Sequence, residues 1–264
     1  MPMGTVHTLY LAGSDMPVVG PLTTWLVAAE RAELALLSDE RRRSQWLGGR
    51  WVAKQLLVQA GTARCASDVE ICSRDEWRRG SRPRIRIGGQ PLVGSLSIAH
   101  TAKGALAALT SNEHLVMGVD LVDLADVAGL LATSGGRGFA ELWFTPLERS
   151  WIAGDRLRRT ATLWGIKEAV YKACQLGEGW TPRDVVMWPR EGGGYRCFYH
   201  GNPIDSLHLE VGEIDEQLAV VASVLPGGTQ PAEGGGAQPE QTTQQWTGVF
   251  TDFLQHELIV GQAS

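Results

Sequence analysis

Residues 162–173 read TLWGIKEAVYKA, an otherwise apolar helical stretch that carries three charged side chains. Glu168 and Lys172 are four residues apart and therefore lie on one face of the predicted helix, and Lys167 and Tyr171 share a neighbouring face. A surface ion pair of this spacing is common, so one interpretation is a solvated helix face. The alternative is a functional site, and residues elsewhere in the chain decide between the two.

A weak internal repeat surrounds this helix. An amphipathic stretch ending at Gly61 is followed seven residues later by DVEI, which begins at Asp68, and one ending at Gly177 is followed seven residues later by DVVM, which begins at Asp184. Each half then has a Ser-Leu start and an alternating finish. These two segments are SLSIAHTAKGALAALTS at 95–111 and SLHLEVGEIDEQLAVVAS at 206–223.

The repeat predicts an α+β fold of two duplicated lobes, each a helix packed on an antiparallel sheet, related by a pseudo-two-fold axis. We expect an N-terminal lobe over 1–115, a C-terminal lobe over 116–225, a disordered Pro/Gly/Gln-rich linker over 226–245 and a C-terminal helix over 246–264. A chance similarity between the halves is the alternative. A cleft between two such lobes is the expected place for a ligand.

The 116-residue offset of the repeat places Glu168 opposite Val52 and Lys172 opposite Leu56. Charge therefore occupies the second helix at positions where the first keeps an apolar face. This difference predicts that only the second half has been adapted for a site.

Composition narrows the class of protein. The net charge is −5 and hydrophobic residues make up 44% of the chain, which predicts a globular protein that binds neither nucleic acid nor an anionic membrane surface. A nucleic-acid-binding protein that uses the arginine clusters at 41–43 and 78–86 is a minor alternative. The four scattered cysteines have no zinc-ligand spacing, so we expect reduced, buried thiols. No signal peptide or membrane span is predicted, and we expect a cytoplasmic protein.

Residues 115–124, LVMGVDLVDL, alternate like a strand between the two halves. Asp120 and Val122 share one face of this strand, whereas Asp123 points the other way. An acid in a buried strand must be paired, hydrogen-bonded or metal-bound. Asp120 is therefore a candidate metal ligand, with a plain edge-strand acid as the alternative.

A strand carboxylate and a helix carboxylate that meet across a cleft suit Mg²⁺, which takes one or two protein carboxylates and leaves other positions to water and substrate phosphates. Asp120 and Glu168 are the candidate pair. The basic residues that are candidates for binding phosphates are Arg41, Arg50, Arg82 and His100. For each of these, a solvated or hydrogen-bonded structural role is the alternative.

Three motifs in consistent order resemble the Sfp-type 4′-phosphopantetheinyl transferases. They are GVDL at 118–121, FTPLE at 144–148 and WGIKEAVYK at 164–172, which is similar to the family's W-x-x-K-E-x-x-x-K. The resemblance spans about residues 38–190, with SDERRR, GGRWVAKQLL, GSRP and SIAHT as weaker support. It implies a two-lobed α+β enzyme that transfers the phosphopantetheine arm of coenzyme A to a carrier-protein serine and releases adenosine 3′,5′-bisphosphate.

The resemblance also implies roles for individual residues. Asp120 and Glu168 would ligate Mg²⁺, and Glu168 or a metal-bound water would accept the serine proton. Lys172 would contact the pyrophosphate. Lys167 would orient the helix face and belong to the coenzyme A-binding set, and Trp164 would have a structural or orienting role.

The family's phosphate-binding positions match further residues of this chain. Arg41, Arg82 and His100 match basic positions that hold the nucleotide phosphates, and Arg50 lies in the matching helix of the first lobe. Glu148 matches a recurrent acid with a structural or substrate-orienting role. The resemblance implies coenzyme A and an acyl, peptidyl or aryl carrier protein as partners, and we expect a monomer.

The chain departs from the family pattern at several positions. Val122 stands where many members have a second acid, and Asp123 faces the wrong way to replace it. The family's S-H-S reads A-H-T at 99–101, and Ser44 replaces a basic residue. These departures keep a second hypothesis open, namely a catalytically silent relative that binds coenzyme A or a carrier protein as a regulator or partner.

The expected carrier-protein surface is GRGFAELWFTPLERSWI at 136–152, with three nearby arginines at 156, 158 and 159 that would steer an acidic carrier. Phe139, Trp143 and Phe144 are candidate anchors. A core role for these aromatic residues is the alternative.

Overall fold

The computed structural model of this chain describes residues 6–13, 24–74, 80–174, 176, 181–190 and 194–225, without the side chains of residues 74 and 80–82. The predicted linker at 226–245 and the predicted helix at 246–264 lie outside the described residues.

The described part of the first half contains two helices and six strands. The helices are α1 (Ala28–Ala35) and α2 (Glu40–Gln59), and the strands are β1 (Val6–Ala12), β2 (Val69–Arg74), β3 (Gly80–Ile87), β4 (Gln90–Pro91), β5 (Ser95–His100) and β6 (Gly104–Thr110). The strands form two antiparallel sheets with the orders β1-β6-β5 and β2-β3-β4.

The described part of the second half contains four helices and six strands. The helices are α3 (Leu124–Ala132), α4 (Gly135–Trp143), α5 (Pro146–Ile152) and α6 (Arg156–Cys174), and the strands are β7 (Val116–Asp123), β8 (Val185–Pro189), β9 (Tyr195–Tyr199), β10 (Asn202–Pro203), β11 (Leu207–Ile214) and β12 (Gln217–Val224). Their antiparallel sheets have the orders β11-β12-β7 and β10-β9-β8.

The long helix of each lobe packs its apolar face on the sheets of that lobe. Helix α2 begins after Asp39, whose carboxylate accepts a hydrogen bond from the Arg42 amide at 2.7 Å. It buries Val52 and Leu57 against strands of the first lobe, and α6 buries Ile166 in the same way in the second lobe.

The two lobes repeat one arrangement, which confirms the predicted α+β fold. Strand β7 occupies the edge of its sheet that β1 occupies in the first lobe, and β11 and β12 correspond to β5 and β6. The helix pair α5 and α6 corresponds to α1 and α2.

The structure corrects the predicted alignment of the two long helices. Lys54 donates a hydrogen bond to the carbonyl of Val69, the first residue of β2, and Lys167 donates one to the carbonyl of Val185, the first residue of β8. These lysines are 113 residues apart, whereas the strands are 116 apart, because three more residues follow the lysine in the second lobe. Glu168 and Lys172 therefore correspond to Gln55 and Gln59 and not to the apolar pair at 52 and 56.

The lobes are joined along strands β5 and β7. The Ser95 and Ser97 hydroxyls accept hydrogen bonds from the amides of Met117 and Val119, both at 3.0 Å. At the other end of this seam, buried Gln217 accepts a hydrogen bond from the Thr101 hydroxyl and donates one to the Tyr10 hydroxyl.

A tight turn over residues 112–115 connects β6 to β7 and so connects the two lobes. The Asn112 carbonyl accepts a hydrogen bond from the Leu115 amide at 3.0 Å, and its side chain accepts one from the His114 amide at 2.9 Å. Glu113 and His114 are exposed.

All four cysteines are free thiols, as predicted, but Cys197 alone is buried, since Cys65 is exposed and both Cys72 and Cys174 are partly exposed. Among the described residues, the structure contains no helix with the length and hydrophobicity that crossing a bilayer requires.

Candidate active site

Gly118 lets helix α6 approach strand β7 closely. A Cβ atom at this position would lie 1.9 Å from the carbonyl oxygen of Ala169 and 2.6 Å from the amide nitrogen of Ala173. Gly165 has the same function on the helix, where a Cβ atom would lie 2.9 Å from a methyl group of Val220. The glycine of the GVDL motif therefore brings Asp120 within reach of the helix side chains.

Asp120 forms an ion pair with Lys172 across this contact. The Lys172 ammonium donates hydrogen bonds to the Asp120 carboxylate at 2.9 Å and to the Val119 carbonyl at 2.7 Å. The Asp120 side chain is 14% exposed and that of Lys172 is 29% exposed, so both are partly shielded from solvent but still accessible. Asp120 of strand β7 therefore contacts helix α6, as the sequence predicts.

Glu168 lies one helical turn before Lys172 and interacts electrostatically with Asp120. Desolvation raises the pKa of Glu168, the negative charge of Asp120 raises it further, and Lys172 opposes both. Desolvation also raises the pKa of Asp120, against the opposing charge of Lys172. Within the described part of the chain, this site thus combines two carboxylates with the Lys172 ammonium, and a bound cation would offset the repulsion that Asp120 exerts on Glu168.

Asp120 and Glu168 line a cleft of about 310 Å³ between the lobes. The first lobe contributes Gln45, His100 and Thr101, and the second lobe contributes Asp120, Glu168 and other residues. The remaining lining residues are Leu121, Val122, Asp123, Asp126, Val127 and Trp164. The location agrees with the expectation that the ligand lies between the lobes.

The donor set of the cleft fits Mg²⁺ held by two protein carboxylates. Across the part of the chain that the structure describes, no group of three or more His, Cys, Asp or Glu side chains is gathered at a metal-binding distance. Mg²⁺ keeps several waters and binds proteins through one or two carboxylates plus substrate phosphates, so a larger cage is not required. Asp120 and Glu168 are oxygen donors of this kind.

Asp123 and Val122 lie near the two predicted metal ligands, but neither adds a further ligand to them. Asp123 accepts hydrogen bonds from the Ala125 amide at 2.9 Å and from Lys103 at 3.0 Å, so it caps helix α3 and is engaged outside the pair. Val122 is 5% exposed and packs among Val127, Ala161 and Leu218. Its side chain faces α6, as Asp120 does, and it adds no ligand.

His100 lies at the mouth of the cleft with exposed surface. Desolvation by the surrounding protein, followed by the positive charges of Lys172 and Arg50, lowers the pKa of His100 to about 4. The imidazole is therefore neutral at pH 7, and it offers one hydrogen-bond donor and one acceptor but no charge.

Arg41 and Arg82, two further residues of the predicted phosphate-binding set, lie in different elements of the first lobe. Arg41 is exposed and lies 3.6 Å from the carboxylate of Asp126, which lines the cleft from the opposite lobe. Arg82 lies in β3, and its side chain is outside the described part of the structure.

Arg50 is not a cleft residue, contrary to the prediction that it binds coenzyme A. It is 4% exposed, stacks on the Trp46 ring at 4.4 Å and donates hydrogen bonds to Glu33 and to the Ile71 carbonyl, each at 3.3 Å, and to the Ser73 hydroxyl. A guanidinium with this many buried partners is a structural group.

Lys167 is likewise buried, contrary to its predicted place in the coenzyme A-binding set. Its ammonium is fully enclosed and lies 2.9 Å from the Glu148 carboxylate, and it donates hydrogen bonds to the carbonyls of Pro182 at 2.8 Å and Val185 at 2.5 Å. The reason is helix geometry, since successive residues point about 100° apart. Glu168 faces the cleft, and so Lys167 faces the interior.

Glu148 has a structural role in the same cluster. Its carboxylate accepts hydrogen bonds from the amides of Met187 and Thr145, each at 2.8 Å, and the Thr145 hydroxyl caps α5 in return by accepting one from the Glu148 amide at 3.3 Å. The FTPLE motif is thus a capping box whose acid also binds Lys167.

Of the three aromatic candidates for the carrier-protein surface, Phe144 belongs to the core, whereas Phe139 and Trp143 are half-buried and pack against it. Phe144 is fully buried, and Phe139 and Trp143 pack against Trp164, with ring centroids 4.9 Å and 5.3 Å away. The exposed apolar side chains of this region are Leu142 and Leu147 instead.

Two kinds of residue in the structure were not predicted from the sequence. Gln45 and Asp126 line the cleft but carry no motif that would reveal them. Lys54 did have a signal, because WVAKQ at 51–55 matches WGIKE at 164–168 at an offset of 113.

One family model matches this chain. Residues 116–221 match the model described as the 4′-phosphopantetheinyl transferase superfamily, and the matched range contains Asp120, Glu168 and Lys172. The resemblance found in the sequence is therefore confirmed at the level of the superfamily. Among curated proteins, none matches this chain.

Several solved structures are similar to part of the chain. Holo-acyl-carrier-protein synthase from Helicobacter pylori in complex with coenzyme A is 20% identical, covers 40% of this chain and 96% of that chain, and has a TM-score of 0.36. The enzyme from Neisseria meningitidis is 21% identical and covers 41% and 95%, with a TM-score of 0.36. The enzyme from Bacillus anthracis, in complex with coenzyme A, is 22% identical and covers 41% and 93%, with a TM-score of 0.35.

Proposed function

Because the chain carries a domain of the 4′-phosphopantetheinyl transferase superfamily over residues 116–221, we propose that it transfers the 4′-phosphopantetheine arm of coenzyme A to a serine of an acyl, peptidyl or aryl carrier protein. The observation that carries the proposal is the presence of Asp120 and Glu168 in a cleft lined by both lobes, with Lys172 paired to Asp120. Adenosine 3′,5′-bisphosphate is the second product.

Asp120 and Glu168 would hold Mg²⁺ in this reaction. Bound there, the ion would neutralise charge on the pyrophosphate oxygens as the bisphosphate leaves. The two carboxylates support this assignment because one ammonium does not balance their charge.

Lys172 and Glu168 would act on the two reactants. The serine oxygen attacks the phosphorus that carries the pantetheine arm, and the bond from that phosphorus to the bridging oxygen breaks, so that the bisphosphate leaves with this oxygen. The Lys172 ammonium would bind the pyrophosphate, and the Glu168 carboxylate would accept the serine proton. Burial and the charge of Asp120 raise the pKa of Glu168, which favours uptake of a proton by this carboxylate.

Arg41, Arg82 and His100 would bind the nucleotide phosphates. His100 would do so as a neutral hydrogen-bond donor because of its low pKa. Arg50 and Lys167 have no part in this set, since both are enclosed by other partners.

The test is the intact mass of a panel of apo carrier proteins after incubation with this protein, coenzyme A and Mg²⁺, with parallel tubes that contain a chelator. We expect a gain of one phosphopantetheine arm that the chelator abolishes. Asp120→Asn should abolish the gain, whereas Asp215→Asn should leave it unchanged, because Asp215 lies on an exposed turn and asparagine tolerates its positive φ of 48°. Undiminished transfer by Asp120→Asn would contradict the proposed site.

A silent relative that binds coenzyme A or a carrier protein is the second candidate. The buried Val122 favours it, because no second acid lies on that strand face to strengthen the metal site. Saturable binding of coenzyme A, measured by calorimetry, without a mass gain on any carrier would support this candidate over the first.

Three further expectations accompany the proposal. We expect a cytoplasmic protein, a monomer and no affinity for nucleic acid. Cell fractionation, light scattering and a gel-shift assay with specific competitor test them in turn.

A further inference from the structure

Each lobe contains a buried lysine that ties its long helix to a short helix and to a strand. In the first lobe, Lys54 of α2 lies 2.7 Å from the Glu30 carboxylate of α1, and both side chains are fully enclosed. In the second lobe, Lys167 of α6 lies 2.9 Å from the Glu148 carboxylate of α5, again with no exposure of either side chain.

The surroundings of the two pairs match in detail. Lys54 also donates hydrogen bonds to the carbonyls of Trp25 at 2.8 Å, Ala66 at 3.1 Å and Val69 at 2.6 Å. Glu30 accepts hydrogen bonds from the amides of Val27 at 2.9 Å and Ile71 at 3.0 Å.

The second pair makes the corresponding contacts. Glu148 binds the amides of Thr145 and Met187, which stand where Val27 and Ile71 stand in the first lobe. Lys167 binds carbonyls just before and at the start of β8. Both pairs therefore connect the same three elements of each lobe.

Each pair lies on a helix that contributes side chains to one wall of the cleft. On α6, Lys167 directly precedes Glu168, so the direction of the buried lysine sets that of the metal-binding carboxylate. On α2, Lys54 and Arg50 are four residues apart and share one face of the helix. Gln45 and Gly49 share the neighbouring face. Gly49 packs against His100, since a Cβ atom there would lie 3.2 Å from the imidazole.

A modest rotation of either helix would move functional atoms by a large distance. With side chains at about 5–6 Å from the helix axis, a rotation of roughly 20° shifts them by about 2 Å. A displacement of about 1 Å already costs about a hundredfold in rate when it affects reacting groups.

We propose that the Glu30–Lys54 and Glu148–Lys167 pairs are positioning residues that orient opposite walls of the cleft, the first for binding of coenzyme A and the second for the chemical step. The proposal rests on the proposed transferase activity and adds two residues, Glu30 and Lys54, to those that serve it. The two pairs have the same chemistry, and their proposed roles differ because each pair supports a different wall of the cleft.

Two double variants test this separation, and each is the matched control of the other. They are Lys54→Met with Glu30→Gln, and Lys167→Met with Glu148→Gln. Each variant removes both charges together, which avoids an unpaired buried charge, and the glutamine oxygen still accepts hydrogen bonds from the strand amide.

The measurements are kcat and KM for coenzyme A in the carrier-protein mass assay, the Kd of coenzyme A by calorimetry, and the melting temperature. For Lys54→Met/Glu30→Gln we expect KM and Kd for coenzyme A to rise about tenfold with kcat within about twofold, because binding contacts are displaced. For Lys167→Met/Glu148→Gln we expect kcat to fall about a hundredfold, whereas the Kd of coenzyme A rises less than in the other variant, because most of the proposed phosphate contacts lie on the first lobe.

Equal losses of kcat and affinity in both variants would overturn the proposal, as would losses that follow only the fraction of folded protein. If the wild-type protein transfers no arm, the proposed activity fails, and calorimetry then decides the positioning role alone. In that case the Lys54 variant must lose more affinity for coenzyme A than the Lys167 variant loses, or the proposal is wrong.

Discussion

At residue 118, a side chain of any size would collide with helix α6. We expect Gly118→Ala to lower the free energy of unfolding by about 3 kcal/mol, because the added methyl group would lie 1.9 Å from a backbone oxygen that cannot move independently. The same shift should weaken the contact between Asp120 and Lys172. Urea unfolding and the carrier-protein mass assay measure the two effects.

Gly129 supplies the matched control. It lies in α3, is exposed, and a Cβ atom there would meet nothing within 4 Å. Gly129→Ala should raise the free energy of unfolding by about 0.5–1 kcal/mol, because alanine favours the helix and restricts the unfolded chain. If both variants were destabilised alike, close packing at Gly118 would not be the cause.

His100 should make the stability of the protein depend on pH in a defined window. Its folded-state pKa of about 4 lies below the ordinary value of 6.5. Between these values the unfolded chain binds the proton and the folded chain does not, so stability is fully present above pH 6.5 and declines as the pH falls towards 4. Chemical unfolding between pH 4 and 7 should show a steeper decline for the wild type than for His100→Gln, and parallel curves would contradict the lowered pKa.

At the scale of one element, Thr145 determines the start of helix α5. Its hydroxyl caps the Glu148 amide and its own amide binds the Glu148 carboxylate. Thr145→Ala should cost about 1 kcal/mol of stability, the usual value of a helix cap. Thermal unfolding measures this loss.

Ser134 is the comparison for that prediction. It occupies the N-cap position of α4, but its side chain makes no capping hydrogen bond. Ser134→Ala should therefore change stability by less than about 0.5 kcal/mol. A similar loss in both variants would show that the hydroxyl at 145 is not acting as a cap.

The long helices show what a sequence reveals and what it does not. The charged residues of WGIKEAVYK predict that Glu168 and Lys172 share a face, and the alternation of LVMGVDLVDL predicts that Asp120 faces away from Asp123. The assignments of Lys167 and Arg50 to the ligand failed, because composition does not tell which stripe of a helix faces the cleft. A lysine whose ammonium is buried among carbonyl groups and a lysine that binds phosphate at the surface are written with the same letter in a sequence.

The predicted alignment of helices α2 and α6 was wrong for a related reason. The strands match at an offset of 116, but three fewer residues separate the buried lysine from the strand in the first lobe, so a single offset cannot describe both segments. Contacts between Lys54 and Val69 and between Lys167 and Val185 supply the missing information, because they join segments that are distant in sequence.

For the whole molecule, Gln217 is the polar connection at one end of the seam between the lobes. It is fully buried, donates a hydrogen bond to the Tyr10 hydroxyl at 2.8 Å and accepts one from Thr101. Gln217→Met removes both bonds while it keeps the volume. We expect a loss of about 1–3 kcal/mol in the free energy of unfolding, measured by calorimetry.

Gln90 is the matched control for this change. It lies exposed at the edge strand β4, and Gln90→Met should change stability by less than about 0.5 kcal/mol. Equal effects at positions 90 and 217 would show that the seam does not depend on the buried amide.

The turn over residues 112–115 has a consequence for the connectivity of the chain. It is the link between two lobes that each have their own helix and sheets, and the hydroxyls of Ser95 and Ser97 join those lobes without its help. A backbone nick between Glu113 and His114 would therefore leave the interface intact, and the two fragments should complement each other in trans. Their dissociation constant would then measure the strength of the seam, and the carrier-protein mass assay on the mixed fragments would test whether the proposed transfer needs association of the lobes without the peptide bond between them.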